Sequence, residues 1–379
     1  MSSAKYPEYL SRLVAVMNEN EASDLFLTAQ FPPAIRLNGE LSPQGGNPLG
    51  ASEVMQFVDA MTTAAQRAMF DTSHELNFAY ESSASGRFRV NFMRQKGREA
   101  IVMRRIPNKI PSITALDLPT ILTKIAAEKR GLVVVAGACG SGKSTTLAAM
   151  IDNRNRTSAG HIITVEDPIE SVFSHQRSIV RQREVGMDTE SWQAALKNAL
   201  RQSPDVILIG EIRDQETMEH AMAFAETGHL CLATLHANNA NQALDRIINF
   251  FPPERGRHLL FDLSMNLKAV VSQRLVFLMH GDGRVPAVEV MMQTPFITEL
   301  IGHGEFGNLK EIMEKDLQFG MQTFDRSLCK LEAAGKISEQ TVIAFADSAN
   351  NVRLKIQLRS RQSVIDAEMN NPSKFSVLE

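Results

Sequence analysis

Cysteine is scarce in this chain: three among 379 residues, Cys139, Cys231 and Cys329, far apart and in no CxxC pair. That spacing offers neither a disulfide framework nor a cysteine-rich zinc site. Long apolar runs are missing too. No stretch reaches the roughly 18 apolar residues a membrane-spanning helix needs, and the opening MSSAKYPEYLSRL lacks an apolar core of signal-peptide length. Nor is there a basic excess. Forty Lys and Arg against 43 Asp and Glu leave a net charge of -3, which argues against a dedicated nucleic-acid or membrane-surface protein. Internal repeats and long low-complexity segments are absent. The expectation is a soluble cytosolic protein with no direct membrane insertion, which meets a membrane only through partners.

What is present is enough apolar material for real cores, 44% of the chain, spread over a length that calls for two or three domains. Tyr6, Leu10, Leu13, Val14 and Met17 have helical spacing. Short alternating stretches follow: DLFLTAQ, AIRLNGEL and later RFRVNFMR and AIVMRRI, punctuated by Pro32-Pro33, Asn38-Gly39 and GGNPLG. Residues 52–70 read as a helix between strands, which makes the first part a small α+β domain. The three prolines of PNKIPSITALDLP (107–119) read as a linker. Beyond it, LVVVAG, HIITVE, DVILIG and HLCLATLH alternate with helical stretches, the pattern of a parallel sheet covered on both faces. From about residue 255 the pattern is mostly helical, and after about 360 it is polar and expected to fray.

Residues 132–150, LVVVAGACGSGKSTTLAAM, carry the first chemistry. Gly137 to Ser144 fit G-x-x-x-x-G-K-[ST] between a strand and a helix, the context in which that motif cradles phosphates. Glycines Gly137, Gly140 and Gly142 let backbone N–H groups close round a phosphate, and the helix N-terminus adds partial positive charge. Lys143 would reach the terminal phosphates and Ser144 would ligate Mg²⁺. Cys139, Ser141 and Thr145 complete the stretch expected to touch the nucleotide. The plain alternative is a glycine turn between strand and helix. No guanine-selecting NKxD occurs, which favours ATP over GTP.

Three further strands end in ionisable residues. HIITVEDPIE (161–170) ends in Glu166, Asp167 and Glu170, at the end of a strand where such sheets hold ligands. Carboxylates there hold Mg²⁺ or orient an attacking water, or form an ordinary acidic turn. PDVILIGEIRD (204–214) ends in Glu211, like a Walker B strand with Glu for the commoner Asp, or like a buried strand with a surface Glu–Arg pair. TGHLCLATLHANNA (227–240) is bracketed by His229 and His236, either γ-phosphate sensors, interface residues or structural histidines.

In this order the four stretches resemble the secretion and type IV pilus motor ATPases, and within them the pilus retraction group of the PilT and PilU type. The resemblance runs from ASDLFL (22–27) to RLKIQL (353–358) and includes FGMQTFDRSL (319–328). It implies an α/β chain with an N-terminal PAS-like α+β domain (1–106), the linker (107–119), a RecA-like P-loop ATPase domain (120–360, of which 255–360 is mostly helical) and a flexible tail (361–379). It also implies ATP and Mg²⁺ as cofactors, a homo-hexamer, ATP in the cleft between domains, and N-terminal-domain arginines that reach the γ-phosphate. The candidates here are Arg87, Arg89 and Arg104, each alternatively part of a solvated strand face. Implied partners are a second retraction ATPase of the PilT type and an inner-membrane pilus platform protein, reached from the cytoplasm, with no nucleic acid. With Glu166 at the water and Glu211 in the Mg²⁺ shell, or the two exchanged, the site would hydrolyse ATP.

Three departures point to a PilU-type accessory motor. PilT-type members usually carry AIRNLIRE where this chain has PFITELIGHGE (295–305), without the arginines. They usually have Asp before Pro-Asp-Val, where Ser203 stands here, and DSANNVRLKIQL (347–358) looks like a PilU-type tail. Pilus assembly and type II secretion ATPases usually add a four-cysteine zinc module, which is missing. A RecA-like nucleic-acid motor would show an aromatic and basic strand path. A docking subunit without turnover would have little use for Lys143, Glu166 and Glu211.

Overall fold

A computed structural model describes residues 5–369 apart from 38, 83–85, 108, 282 and 316–318. The chain forms two compact units, Met1–Lys109 with Glu170–Val172, and Ile110–Ile169 with Phe173–Glu379.

In the first unit the helix Lys5–Glu19 buries the five residues whose spacing predicts it, Tyr6, Leu10, Leu13, Val14 and Met17. Six strands follow: β1 (Asp24–Thr28), β2 (Ala34–Leu37), β3 (Glu40–Pro43), β4 (Glu75–Ser82), β5 (Gly86–Gln95) and β6 (Arg98–Ile106). They make one antiparallel sheet in the order β3-β2-β1-β6-β5-β4. The single helix expected over 52–70 is two, Ala51–Met61 and Ala64–Ser73. Thr63 starts the second one by accepting from the Gln66 N–H while the Gln66 side chain returns to the Thr63 N–H, a reciprocal cap that breaks the pattern in two. Phe57, Phe70, Phe88 and Phe92 fill the core between helices and sheet. This is the expected PAS-like α+β domain.

The second unit holds β7 (Gly131–Ala136), β8 (Gly160–Glu166), β9 (Ser178–Glu184), β10 (Val206–Ile209), β11 (Leu230–Leu235), β12 (Leu267–Phe277) and β13 (Arg284–Met292). Their order is β13-β12-β7-β11-β10-β8-β9, parallel throughout except for the antiparallel β12–β13 pair. Every residue of β7 and β11 is buried. Because strand side chains alternate, Leu132, Val134 and Ala136 enter one core while Val133 and Val135 enter the other, on the opposite face. Each such buried Val or Leu is worth about 1.5–3 kcal/mol, so the central strands cannot slip without losing both cores at once. This strand order and double-faced core are what the expected RecA-like domain requires.

The stretch from 255 to 360 is mostly helical, with Gly256–Asn266, Pro295–His303, Phe324–Ala333 and Ala349–Met369 among its helices, and it also holds the long hairpin β12–β13 that completes the sheet. The linker needs correction. Residues 110–118 are no free linker. Ile113 and Leu118 are buried in the second unit's core and Ile110 and Leu116 pack against it. The backbone of the expected tail continues the last helix as far as Met369; 370–379 lie outside the described residues.

Candidate active site

The chain leaves β7 at Ala136, passes through 137–142, and enters the helix Lys143–Thr157. Gly142 stands just before that helix with φ +88°, a left-handed conformation glycine adopts without strain. A Cβ there would lie 2.8 Å from Gln273 Nε2, and one at Gly137 would lie 2.3 Å from Ser141 Oγ and 2.7 Å from the Gln273 carbonyl oxygen. The loop is therefore closely packed at Gly137 and Gly142, while Gly140 faces open space. The buried Lys143 ammonium donates to the carbonyls of Gly137 and Ala138, 2.9 Å each, which points it back over the loop. Ser144 and Thr145 expose their side chains in the first helical turn, and Cys139 is exposed.

Parallel register sets the rest of the site. Ala136 pairs with Leu235, Ala233 with Ile209, and Ile209 with Val165. The carboxyl ends of β7, β11, β10 and β8 thus open on one edge, where a sheet of this kind binds ligands. That edge carries the phosphate loop, His236, Glu211 and Glu166. Glu211 Oε1 accepts from His236 Nε2 at 2.8 Å, and its Oε2 accepts from Arg213 Nε, also at 2.8 Å. Bonding to Glu211, the Glu211 charge and then that of Asp167 hold the Arg213 guanidinium above its ordinary pKa. Glu166 Oε1 accepts from Thr164 Oγ1 (2.6 Å) and Gln182 Nε2 (3.1 Å). Two carboxylates are therefore held by different partners on neighbouring strands.

One predicted residue, His229, is not gathered here. His229 precedes β11 and sits beside the start of β7, where its carbonyl accepts the Gly131 N–H and its Nδ1 meets Thr227 Oγ1 at 3.0 Å. Six strand residues at about 3.3 Å each separate it from His236, so it is placed at the opposite edge of the sheet from the phosphate loop. Asp167 follows β8 and is exposed. Glu170 is exposed within the short segment that belongs to the other compact unit. In the first unit, Arg89 and Arg104 face each other across β5 and β6, and Arg87 shares their face two residues along. Asp24 on β1 bonds Arg104 Nε at 2.7 Å and approaches Arg36 Nε at 3.4 Å. A buried aspartate thus offsets part of a row of arginines that would otherwise repel one another.

The loop fits a nucleotide. It has an open approach at Gly140, a lysine curled over it, a buried Ser141 hydroxyl without a partner among the described residues, and hydroxyls at a helix N-terminus. Among those residues no three His, Cys, Asp or Glu come together to hold a metal. Mg²⁺ would instead be shared between the Ser144 hydroxyl, an edge carboxylate and phosphate oxygens, its usual mode in nucleotide sites. Sequence reasoning missed Gln182 and Gln273, and it read Arg213 only as half of a surface Glu–Arg pair. Arg213 was legible two residues beyond Glu211. Gln182 and Gln273 carry no local signal, since their partners are distant in the chain.

A family profile described as "Type II/IV secretion system protein" matches residues 8–338. The type IV pilus ATPase PilU of Pseudomonas aeruginosa is 52% identical over 349 residues, 92% of this chain and 91% of that protein. The type IV pilus retraction ATPase PilT of the same organism is 40% identical over 331 residues, 87% of this chain and 96% of its own length. The crystal structure of the pilus retraction motor PilT with bound ADP superposes with a TM-score of 0.83 at 37% identity, covering 89% of this chain and 98% of that one. No helix among the described residues is long and apolar enough to cross a membrane. With a parallel sheet whose loop-bearing edge is lined by Lys143, Glu166, Glu211 and His236, and relatives matched along nearly their whole length, this chain belongs to the type II/IV secretion system protein family and is one of its ATPases.

Proposed function

We propose that the chain is a cytoplasmic hexameric motor that hydrolyses ATP to drive type IV pilus retraction, as an accessory to a PilT-type ATPase and docked on an inner-membrane pilus platform protein. The observation that carries this reading is the likeness to PilU over 92% of the chain at 52% identity, against 40% for PilT. Its accessory character is supported by the helix Pro295–His303, which presents an exposed Phe296 and no arginine where PilT-type members carry AIRNLIRE.

Loop amides of 137–142 and Lys143 hold the phosphates of ATP, Ser144 and Glu211 attend Mg²⁺, and Glu166 orients the attacking water. Glu211 already accepts from Arg213 and His236, which suits an anchor that registers the metal and the γ-phosphate. The Arg213 and His236 contacts then change when the phosphate leaves, and this is the start of the mechanical step. Arginines Arg87, Arg89 and Arg104 stabilise transition-state charge when the ring closes on ATP.

The test is retraction of labelled pili in cells deleted for this chain. The wild type should restore retraction only where a PilT-type ATPase is also present, and Lys143→Ala should not restore it. A deletion that leaves retraction intact but removes pili from the surface would replace this reading with an assembly motor.

A further inference from the structure

We infer that Gln273, on β12, is a positioning residue for the phosphate loop, aiming its backbone amides at the nucleotide. The inference rests on the reading of 137–144 as the phosphate cradle.

β12 lies beside β7 with Ser272 opposite Ala136, so Gln273 arrives level with the point where the chain leaves the sheet for the loop. Its buried amide makes two bonds. Nε2 donates to the Ser141 carbonyl at 2.8 Å, and Oε1 accepts from Thr146 Oγ1 at 2.6 Å. The carbonyl can only accept, so the amide has one orientation, with nitrogen toward the loop and oxygen toward the helix.

The consequence follows from peptide geometry. Ser141 C=O and Gly142 N–H belong to one planar trans peptide and point in opposite directions. By drawing the carbonyl toward β12, Gln273 turns the Gly142 N–H to the other side, where the cradle reading places the phosphate. The Thr146 bond fixes the first turn of the helix whose N-terminus supplies the neighbouring amides. Gln273 also explains the two glycines nearest to it. A Cβ at Gly137 would strike its carbonyl oxygen at 2.7 Å and one at Gly142 its Nε2 at 2.8 Å. Both glycines admit this strand as well as a phosphate.

The test compares wild type with Gln273→Met, which keeps length and loses both bonds, Gln273→Glu, which keeps the acceptor but sets a carboxylate against the Ser141 carbonyl, and the milder Thr146→Val. The readouts are kcat, KM for ATP, the inhibition constant of ADP, and the thermal unfolding midpoint. Loss of loop preorganisation weakens ATP and ADP alike and leaves the chemical step alone. In Gln273→Met, KM and the ADP constant should rise together, about fivefold to twentyfold from two lost hydrogen bonds, with kcat within about twofold. Gln273→Glu should be worse than Met, and Thr146→Val should shift both constants about twofold to fivefold. A purely structural glutamine would lower the unfolding midpoint and the active fraction while KM stayed put; unmoved KM in the folded variants, Thr146→Val included, overturns the inference. Lys143→Ala separates the two readings. If it turns over like wild type, the phosphate-loop reading has failed. If it is inactive while the Gln273 and Thr146 variants keep wild-type KM, only the role of Gln273 has failed.

Discussion

Glu289 sits on β13 opposite Ser272, almost wholly buried, with Oε1 accepting the Ala240 N–H at 2.8 Å. Ala240 opens the helix Ala240–Asn249, just beyond His236. Neither Glu289 Oε2 nor the Ser272 hydroxyl has a hydrogen-bond partner among the described residues. Burial pushes the Glu289 carboxyl from 4.5 to about 7, with the Asp347 charge acting in the same sense and the Ala240 N–H, Lys310 and Arg274 opposing. Below pH 4.5 both folded and unfolded chains carry the proton and the burial is cheap. Between 4.5 and about 7 the unfolded chain ionises while the folded one holds its proton, so stability falls as pH rises through that window and levels off above it. A span of about 2.5 units corresponds to about 3 kcal/mol. Gln in place of Glu keeps the acceptor for Ala240 and cannot ionise. Glu289→Gln should therefore gain on the wild type as pH rises from 5 to 8, by about 5–10 °C in unfolding midpoint. The assay is thermal unfolding of the two full-length proteins at pH 5, 6, 7 and 8. A difference between them that stays constant over that range would refute the argument, because it would mean the carboxylate is accommodated in its charged form.

Two further predictions concern the strand-edge cluster. Glu211→Gln should still bind ATP but lose at least about a hundredfold in turnover, the scale of a lost preorganised electrostatic contact; near-normal turnover would remove Glu211 from the site. His236→Ala should slow ATPase activity sharply while His229→Ala stays within about twofold of wild type in a steady-state assay, since only the first shares an edge with the phosphate loop; equal losses in both would contradict the strand geometry.

The loop-bearing edge was legible because its signals are local. A phosphate loop is read from eight consecutive residues, and an acidic residue closing an apolar run says which end of the strand it occupies. The His229–His236 spacing carried its own correction, since bracketing a strand sends two residues to opposite edges. What stayed hidden depends on pairing between distant segments. β12 and β13 were absorbed into a region read as helical, because runs such as LKAVVSQRLVF are apolar on both faces and show no period of two. Gln273 was hidden with them. Its importance comes from the neighbouring strand β7 and from the loop that strand launches, a relation between residues 132 apart for the Ser141 bond. Arg89 and Arg104 were named one by one, yet their juxtaposition across β5 and β6, and the aspartate that steadies Arg104, required the sheet.

The burial of Ile113 and Leu118 bears on anyone who wishes to dissect the chain. Prolines invite a cut after residue 119, but a fragment beginning at 120 would leave behind two side chains that are 3% and 5% exposed. It would forfeit about 1.5–3 kcal/mol for each and open the core that they share with Val133 and Val135. The natural seam is at Lys109. Started there, the ATPase half carries its own lining with it, and a lower unfolding midpoint in the shorter fragment than in this one would report a torn core.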